Sequence, residues 1–159
     1  MAYEFTASYL KDSISLFHSY KKMCEGALGQ VSDEQLFAVL DPEMNSIAII
    51  VKHMAGNMRS RWTDFLTSDG EKPDRNRDSE FEAPPQTRAE VMHLWTEGWN
   101  CVLAALEHLS DADMNRSIAI RGEPPSVMQA SIARLHIMLV TWDRSSFWQS
   151  TCSMLSGSR

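Results

Sequence analysis

Residues 45–81 read NSIAIIVKHMAGNMRSRWTDFLTSDGEKPDRNRDSEF, and this stretch decides the fold. Its first half places apolar residues three and four positions apart, which is the spacing of the buried face of an α-helix. Asn45 and Ser46 are both favourable N-cap residues, so we expect a long helix that begins there and ends between Thr67 and Gly70. The segment from Asp69 to Pro85 is polar and contains three prolines, which predicts a loop.

Three further long helices and one short helix are predicted around this stretch. Apolar residues recur at helical spacing between residues 5 and 28, which indicates the first long helix. Capping boxes that would open the short, third and fourth long helices occur at residues 32–35, 87–90 and 126–129. Residues 117–121 alternate in polarity and predict a short extended segment that ends at Gly122. The expected fold is all-α, a four-helix bundle with a short extra helix and a long crossover loop, in a single domain spanning residues 1–159.

Composition excludes several classes of protein. The chain has 159 residues, 43% of them hydrophobic, and a formal net charge of −6, so non-specific binding to nucleic acid is not expected. No apolar stretch approaches the ~18 residues that a membrane-spanning helix needs. The three cysteines are far apart and form no Cys-x-x-Cys pair, and no secretory signal precedes them. These features predict a reduced, cytoplasmic protein.

His53 is the strongest candidate for a functional side chain. It lies at the edge of the apolar face of the second long helix, and Asn57 follows it one turn later. One interpretation is a half-packed boundary histidine; the other is a metal ligand, because neutral imidazole is a common ligand of zinc, nickel and iron. His136, in the fourth long helix, is the second candidate. The remaining histidines are expected at the surface or its boundary, and these are His18, His93 and His108.

The helix order, residues 45–81 and the segment IRGEPPSVMQA at residues 120–130 resemble an uncharacterised bacterial branch of the DinB-like (YfiT-like) superfamily. The resemblance covers residues 3–130. It implies a four-helix bundle, often a homodimer, that holds a divalent metal such as Zn, Ni or Fe. It also implies one histidine ligand on the second long helix, which His53 matches, and a His-x-x-x-His pair on the fourth. Relatives include thiol-dependent transferases and hydrolase-like enzymes.

The fourth long helix departs from that pattern. His136 is present, but Val140 stands four residues later, and the next potential ligand on the same face is Asp143. A carboxylate can replace an imidazole on a metal, so a weaker site made of His53, His136 and Asp143 is one prediction. The alternative is that the metal site of this chain is incomplete.

A shifted reading frame is our hypothesis for residues 131–159. If the codons of this tail are taken one base earlier, the overlap of Trp142 with Asp143 must encode Gly. The overlap of Phe147 with Trp148 must encode Leu, and that of Trp148 with Gln149 must encode Ala. Seven further overlaps permit the residues that the family shows there. Overlaps at residues 136 and 140 permit two histidines at the family spacing. The competing explanation is a divergent tail, and the nucleotide sequence would decide between them.

Three functions follow as hypotheses. The first is a metal-dependent enzyme that acts on a small thiol or electrophile, with Asn57 and Arg61 lining or supporting the site of His53. The second is a metal-free bundle, a pseudoenzyme with a structural or partner-binding role. The third, a protein linked to nucleic acid, is opposed by the net charge of −6. The charged segment 69–78 is interpreted as a solvated crossover loop, with a lid or a dimer contact as alternatives.

Overall fold

The computed structural model describes residues 8–39, 41–42, 44–134 and 136–137, and the described chain is an all-α bundle, as the sequence predicts. Its helices are α1 (Tyr9–Gln30), α2 (Asp33–Phe37), α3 (Ile47–Trp62), α4 (Arg88–Glu107) and α5, whose described part covers residues 127–134 and 136–137. Short 3-10 turns occur at Asp78–Glu80 and Asp111–Asn115. Within the described ranges no helix combines the length and the apolar character needed to cross a membrane.

Local side-chain hydrogen bonds set the helix starts. The capping boxes predicted at Ser32 and Thr87 are present in full, with the side chain of each N-cap residue and that of the residue three positions later exchanging hydrogen bonds with backbone N–H groups. The third box is also confirmed, because Ser126 and Gln129 bond each other's backbone N–H groups at 2.9 and 3.1 Å. Ser46 caps α3 by accepting from the Ile49 N–H at 3.3 Å.

Helix α3 ends earlier than its sequence predicts. Its last residue is Trp62, and the C-cap Thr63 donates both its N–H and its hydroxyl to the Arg59 carbonyl, at 3.2 and 2.7 Å. Asp64 then adopts a left-handed backbone with φ of 49°, which reverses the chain. The reversal brings Phe65 against Trp62, with ring centroids 4.7 Å apart. The apolar Phe65 therefore belongs to a turn and not to the helix.

The core is filled mainly from α1, α3 and α4, and α3 packs most extensively on α4. Trp95 and Trp99 are both fully buried, so both rings belong to the core. Their rings are 5.7 Å apart in an edge-to-face arrangement. The Phe17 ring of α1 meets that of Trp99 edge-on at 6.4 Å, which joins the first helix to this pair.

The segment between α4 and α5 forms a small hairpin, and its first half is the short extended segment predicted from its alternating polarity. Isolated bridges pair Ser117 with Ser126 and Ile120 with Glu123. Gly122, with φ of 78°, occupies the turn, where a left-handed backbone is needed. This hairpin (residues 117–126) carries Ile120 and its neighbours to the same end of the bundle as the loop that follows α3.

Cys24 is expected to resist alkylation in the folded protein. The residue is 5% exposed, and burial, followed by the charge of Glu25, raises the pKa of its thiol to about 12. Such a rise lowers the thiolate fraction at mildly alkaline pH roughly a thousandfold, and the thiolate is the reacting form. Mass spectrometry after iodoacetamide treatment should find Cys24 unmodified in native protein and fully modified in guanidinium. The partly exposed Cys101 is the internal control. Rapid native labelling of Cys24 at the rate of Cys101 would contradict the prediction.

Candidate active site

A buried histidine–glutamate pair is the central feature of the site. The Nδ1 atom of His53 lies 2.7 Å from Oε2 of Glu80, and the two side chains are 17% and 10% exposed. The His53 ring also packs on that of Phe81, with centroids 4.5 Å apart. The ring is thus fixed by one hydrogen bond and one face contact, which leaves Nε2 as the nitrogen available to a ligand. The boundary position predicted for His53 is confirmed.

A second ion pair fixes the carboxylate. Arg75 donates from Nε to Oε1 of Glu80 and from Nη2 to Oε2, both at 2.8 Å. This two-pronged contact matches the planar guanidinium to the planar carboxylate, and the Arg75 side chain is 6% exposed. The result is a chain of three side chains, Arg75–Glu80–His53, in which Glu80 is shared.

Burial favours the neutral form of the His53 imidazole. Burial alone would raise the pKa of Glu80, but the hydrogen bonds and charge of Arg75, together with His53, outweigh it and lower that pKa. Burial is also the main influence on His53, and it lowers the pKa of the imidazole despite the opposing hydrogen bond and charge of Glu80. An ionised Glu80 only accepts hydrogen bonds, so the imidazole proton resides on Nδ1. Nε2 then carries a free lone pair.

The loop that supplies Arg75 and Glu80 (residues 69–83, the loop wall) forms one side of the site and is held against α3. Lys52, one residue before His53, donates to the carbonyl oxygens of Ser79, Glu82 and Ala83 at 2.7, 2.7 and 3.3 Å. The charged segment 69–78, interpreted as a solvated crossover loop, is exposed at Asp74, Arg77 and Asp78 and partly buried at Glu71 and Arg75. These two partly buried side chains pair, Glu71 with Arg61 of α3 and Arg75 with Glu80 of the loop.

The same wall is joined to the hairpin. The Asp69 carboxylate accepts hydrogen bonds from the backbone N–H groups of Glu71, Arg121 and Gly122, at 2.7, 2.9 and 3.1 Å. These bonds, in that order, lower the pKa of Asp69 to about 2, so the junction is intact at neutral pH. The junction places Glu71 beside Arg121, whose Nε donates to Oε2 of Glu71 at 2.8 Å.

A cavity of about 1380 Å³ opens between the loop wall, the hairpin, α3 and α5. Three of the residues that line it follow one another by one turn on α3, namely His53, Asn57 and Arg61. Asn57 and Arg61, expected to line or support the site of His53, line the same cavity as that histidine. From the other elements the lining includes Arg75, Phe81, Ile120 and Arg134. Cavities that bind drug-sized ligands commonly measure about 300–1,000 Å³, so this one accommodates a small organic molecule.

Of the other predicted metal ligands, the structure describes only His136, which does not line the cavity beside His53. His136 is helical but exposed. Asp143 and Val140 lie outside the described residues, as does most of the tail assigned to a shifted frame. Within the described ranges no three side chains of His, Cys, Asp or Glu are grouped as a metal site. His18, His93 and His108 are exposed, as predicted.

Sequence reasoning missed Glu80, Arg75 and Arg134. The first two lie in an irregular loop, where no periodic pattern of apolar residues predicts which charged side chains are buried. Arg134 did carry a signal, because it is seven residues after Val127 and four after Ala130, on the buried face of α5. A charged residue at a core position indicates a paired or functional group.

Comparison with known proteins places the chain in a family. The family described as "Protein of unknown function (DUF1572)" matches residues 4–140, which is most of the chain and includes every described element of the site. The match stops before residues 141–159. No curated protein and no solved structure matches the chain. The chain therefore belongs to the DUF1572 family of proteins of unknown function.

Proposed function

We propose that the chain is a metal-dependent enzyme of DinB-like type that acts on a small molecule, with His53 as a metal ligand. The observation that carries this proposal is the 2.7 Å contact between Nδ1 of His53 and Glu80 beside a large cavity. Metal-binding histidines usually donate their second ring N–H to a carboxylate or carbonyl, which fixes the tautomer and makes the ligating nitrogen more basic. His53 has that arrangement in the structure, because its Nδ1–H is bonded to the Glu80 carboxylate.

The surrounding residues have assignable roles. Glu80 holds the proton on Nδ1, Arg75 keeps Glu80 ionised, and Phe81 restricts rotation of the ring. Asn57 and Arg61 lie on the cavity beside His53, where they would contact a substrate. A divalent metal with an open position supplies Lewis-acid chemistry and makes a bound water or thiol easier to deprotonate at neutral pH.

Among the described residues, His53 supplies one of the several donors that a protein metal site needs. A neutral imidazole suits Zn, Ni or Fe, and His53 supplies it from a rigid helix. His136 and Asp143 remain the sequence-based predictions for further ligands. The homodimer implied by the resemblance also remains a prediction, which the molar mass in solution would test.

Metal titration of chelator-treated protein tests the proposal. We expect about one equivalent of Zn²⁺ or Ni²⁺ to bind, and His53→Ala to weaken binding at least about tenfold. Glu80→Gln should weaken it by about 10–100-fold through loss of the supporting carboxylate. The matched control is His93→Ala, because the His93 side chain is 71% exposed. Equal affinities for the wild type and His53→Ala would refute the proposal, and no binding to either would favour the metal-free interpretation.

A further inference from the structure

Two buried arginines line the cavity beside α3 with unused hydrogen-bond donors. Arg61 is 5% exposed and Arg134 is 6% exposed. Among the described residues, Nε and Nη1 of Arg61 and Nε of Arg134 have no hydrogen-bond partner. A buried guanidinium without partners is costly, because desolvation of its charge and of each N–H is not compensated.

The nearby carboxylates of Glu71 and Glu80 already accept hydrogen bonds from several groups. Glu71 accepts from Nη2 of Arg61 and from Nε of Arg121, and Arg75 lies 3.8 Å from its other oxygen. Glu80 is occupied by Arg75 and His53. In the part of the chain that the structure describes, Arg134 forms no ion pair.

The cavity is therefore positive in an acidic protein. Its described lining contains five arginines and one glutamate, and the carboxylates of Glu71, Glu80 and Asp69 lie directly behind it. These five positive and four negative charges leave an excess of one, although the whole chain has a net charge of −6. Burial, and then the charge of Arg61, lower the pKa of Arg134 to about 10, so the guanidinium stays protonated at neutral pH.

We propose that Arg61 and Arg134 form a binding site for the oxyanion group, a carboxylate or a phosphate, of a small organic ligand that occupies the cavity. Guanidinium groups present planar pairs of N–H donors that match the oxygens of these anions. An oxyanion placed between the two guanidinium groups would offer them hydrogen-bond acceptors and separate two like charges. The site stands on the two arginines and does not depend on metal binding at His53. Arg134 lies in the tail that the shifted-frame hypothesis concerns, but within the family match to residues 4–140.

The position of the site sets the length of the ligand. His53 and Arg61 are eight residues apart on α3, which corresponds to about 12 Å along the helix axis. A ligand held at its anionic end by Arg61 and Arg134 would reach His53 with a group several bonds away. Remote anionic binding of this kind orients the reacting part of a substrate.

The test compares Arg134→Met and Arg59→Met in chelator-treated protein. Methionine retains much of the apolar stem and removes the charge. Arg59 lies on the exposed side of α3 and is the matched control. Inorganic phosphate and succinate are each titrated at constant ionic strength, and both binding and the melting temperature are measured. One anion or both should raise the melting temperature of the wild type and Arg59→Met, and the better of the two identifies the group recognised.

Arg134→Met should bind the anion at least about tenfold more weakly, which is about 1.4 kcal/mol of binding free energy, because a charged hydrogen-bonded contact is lost. Without anion it should melt higher than the wild type, because a buried, unpaired charge has been removed. Arg134→Lys keeps the charge but loses the planar donors, and should also bind more weakly. The proposal is overturned if neither anion binds, if Arg134→Met binds as the wild type does, or if it melts lower without anion. Metal titration of the same variant separates this result from that of the His53 proposal.

Discussion

Replacing Gly56 with alanine should destabilise the protein by about 2–4 kcal/mol, even though alanine is the better helix former. A Cβ at this position would lie 2.6 Å from Cδ of Glu80, well inside van der Waals contact. A flexible side chain would normally move away at little cost. The Glu80 carboxylate is held by Arg75 and His53, so its displacement breaks buried charged hydrogen bonds. Denaturant unfolding followed by circular dichroism measures the loss.

Gly26→Ala is the matched control for this experiment. Gly26 lies in α1, and a Cβ there would meet nothing within 4 Å. This substitution should raise the free energy of unfolding by about 0.5–1 kcal/mol, because it removes the backbone entropy of glycine. If Gly56→Ala stabilised the protein as much as Gly26→Ala, Glu80 would not be fixed against α3 as described.

Trp99→Ala should cost about 3–5 kcal/mol of unfolding free energy, the usual range for removing a buried tryptophan. The side chain is fully buried, and its ring contacts those of Phe17 and Trp95 edge-on. Its removal leaves a cavity where α1, α3 and α4 meet, and these helices provide most of the core. Thermal and urea unfolding should both show the loss, with an unchanged urea m-value if unfolding remains two-state.

Two comparisons sharpen the Trp99 experiment. Met23→Ala removes a side chain that is 52% exposed on α1 and should change stability by no more than about 0.5 kcal/mol. Trp99→Phe should cost less than Trp99→Ala, because the indole N–H of Trp99 is buried without a hydrogen-bond partner among the described residues. An effect of Trp99→Ala as small as that of Met23→Ala would show that the contacts of Trp99 with Phe17 and Trp95 do not stabilise the core.

The fold was predictable because its signals are local. The capping boxes that begin at Ser32, Thr87 and Ser126 each lie within four residues, and each forms as predicted. Helical spacing of apolar residues identified the long helices for the same reason. The end of α3 was not predictable, because Phe65 continues the apolar pattern beyond the point where Asp64 reverses the chain. Periodicity does not register such a reversal.

The site was predictable only on the helix. His53, Asn57 and Arg61 share a helical face, and counting by turns brings them together. Glu80 is 27 residues from His53, and their contact depends on how an irregular loop folds back over α3. No short-range rule relates those two positions. The resemblance identified His53 but not the carboxylate that orients it.

The loop wall also limits how this scaffold can be re-engineered. Lys52 binds three loop carbonyls, His53 binds the loop carboxylate, and Gly56 leaves the space that this carboxylate fills. A designer who grafted residues 69–83 onto another bundle would transfer a sequence that does not specify its own shape. The graft would also need the three helix positions, in the order Lys-His-x-x-Gly, because contacts with the helix determine the conformation of the loop.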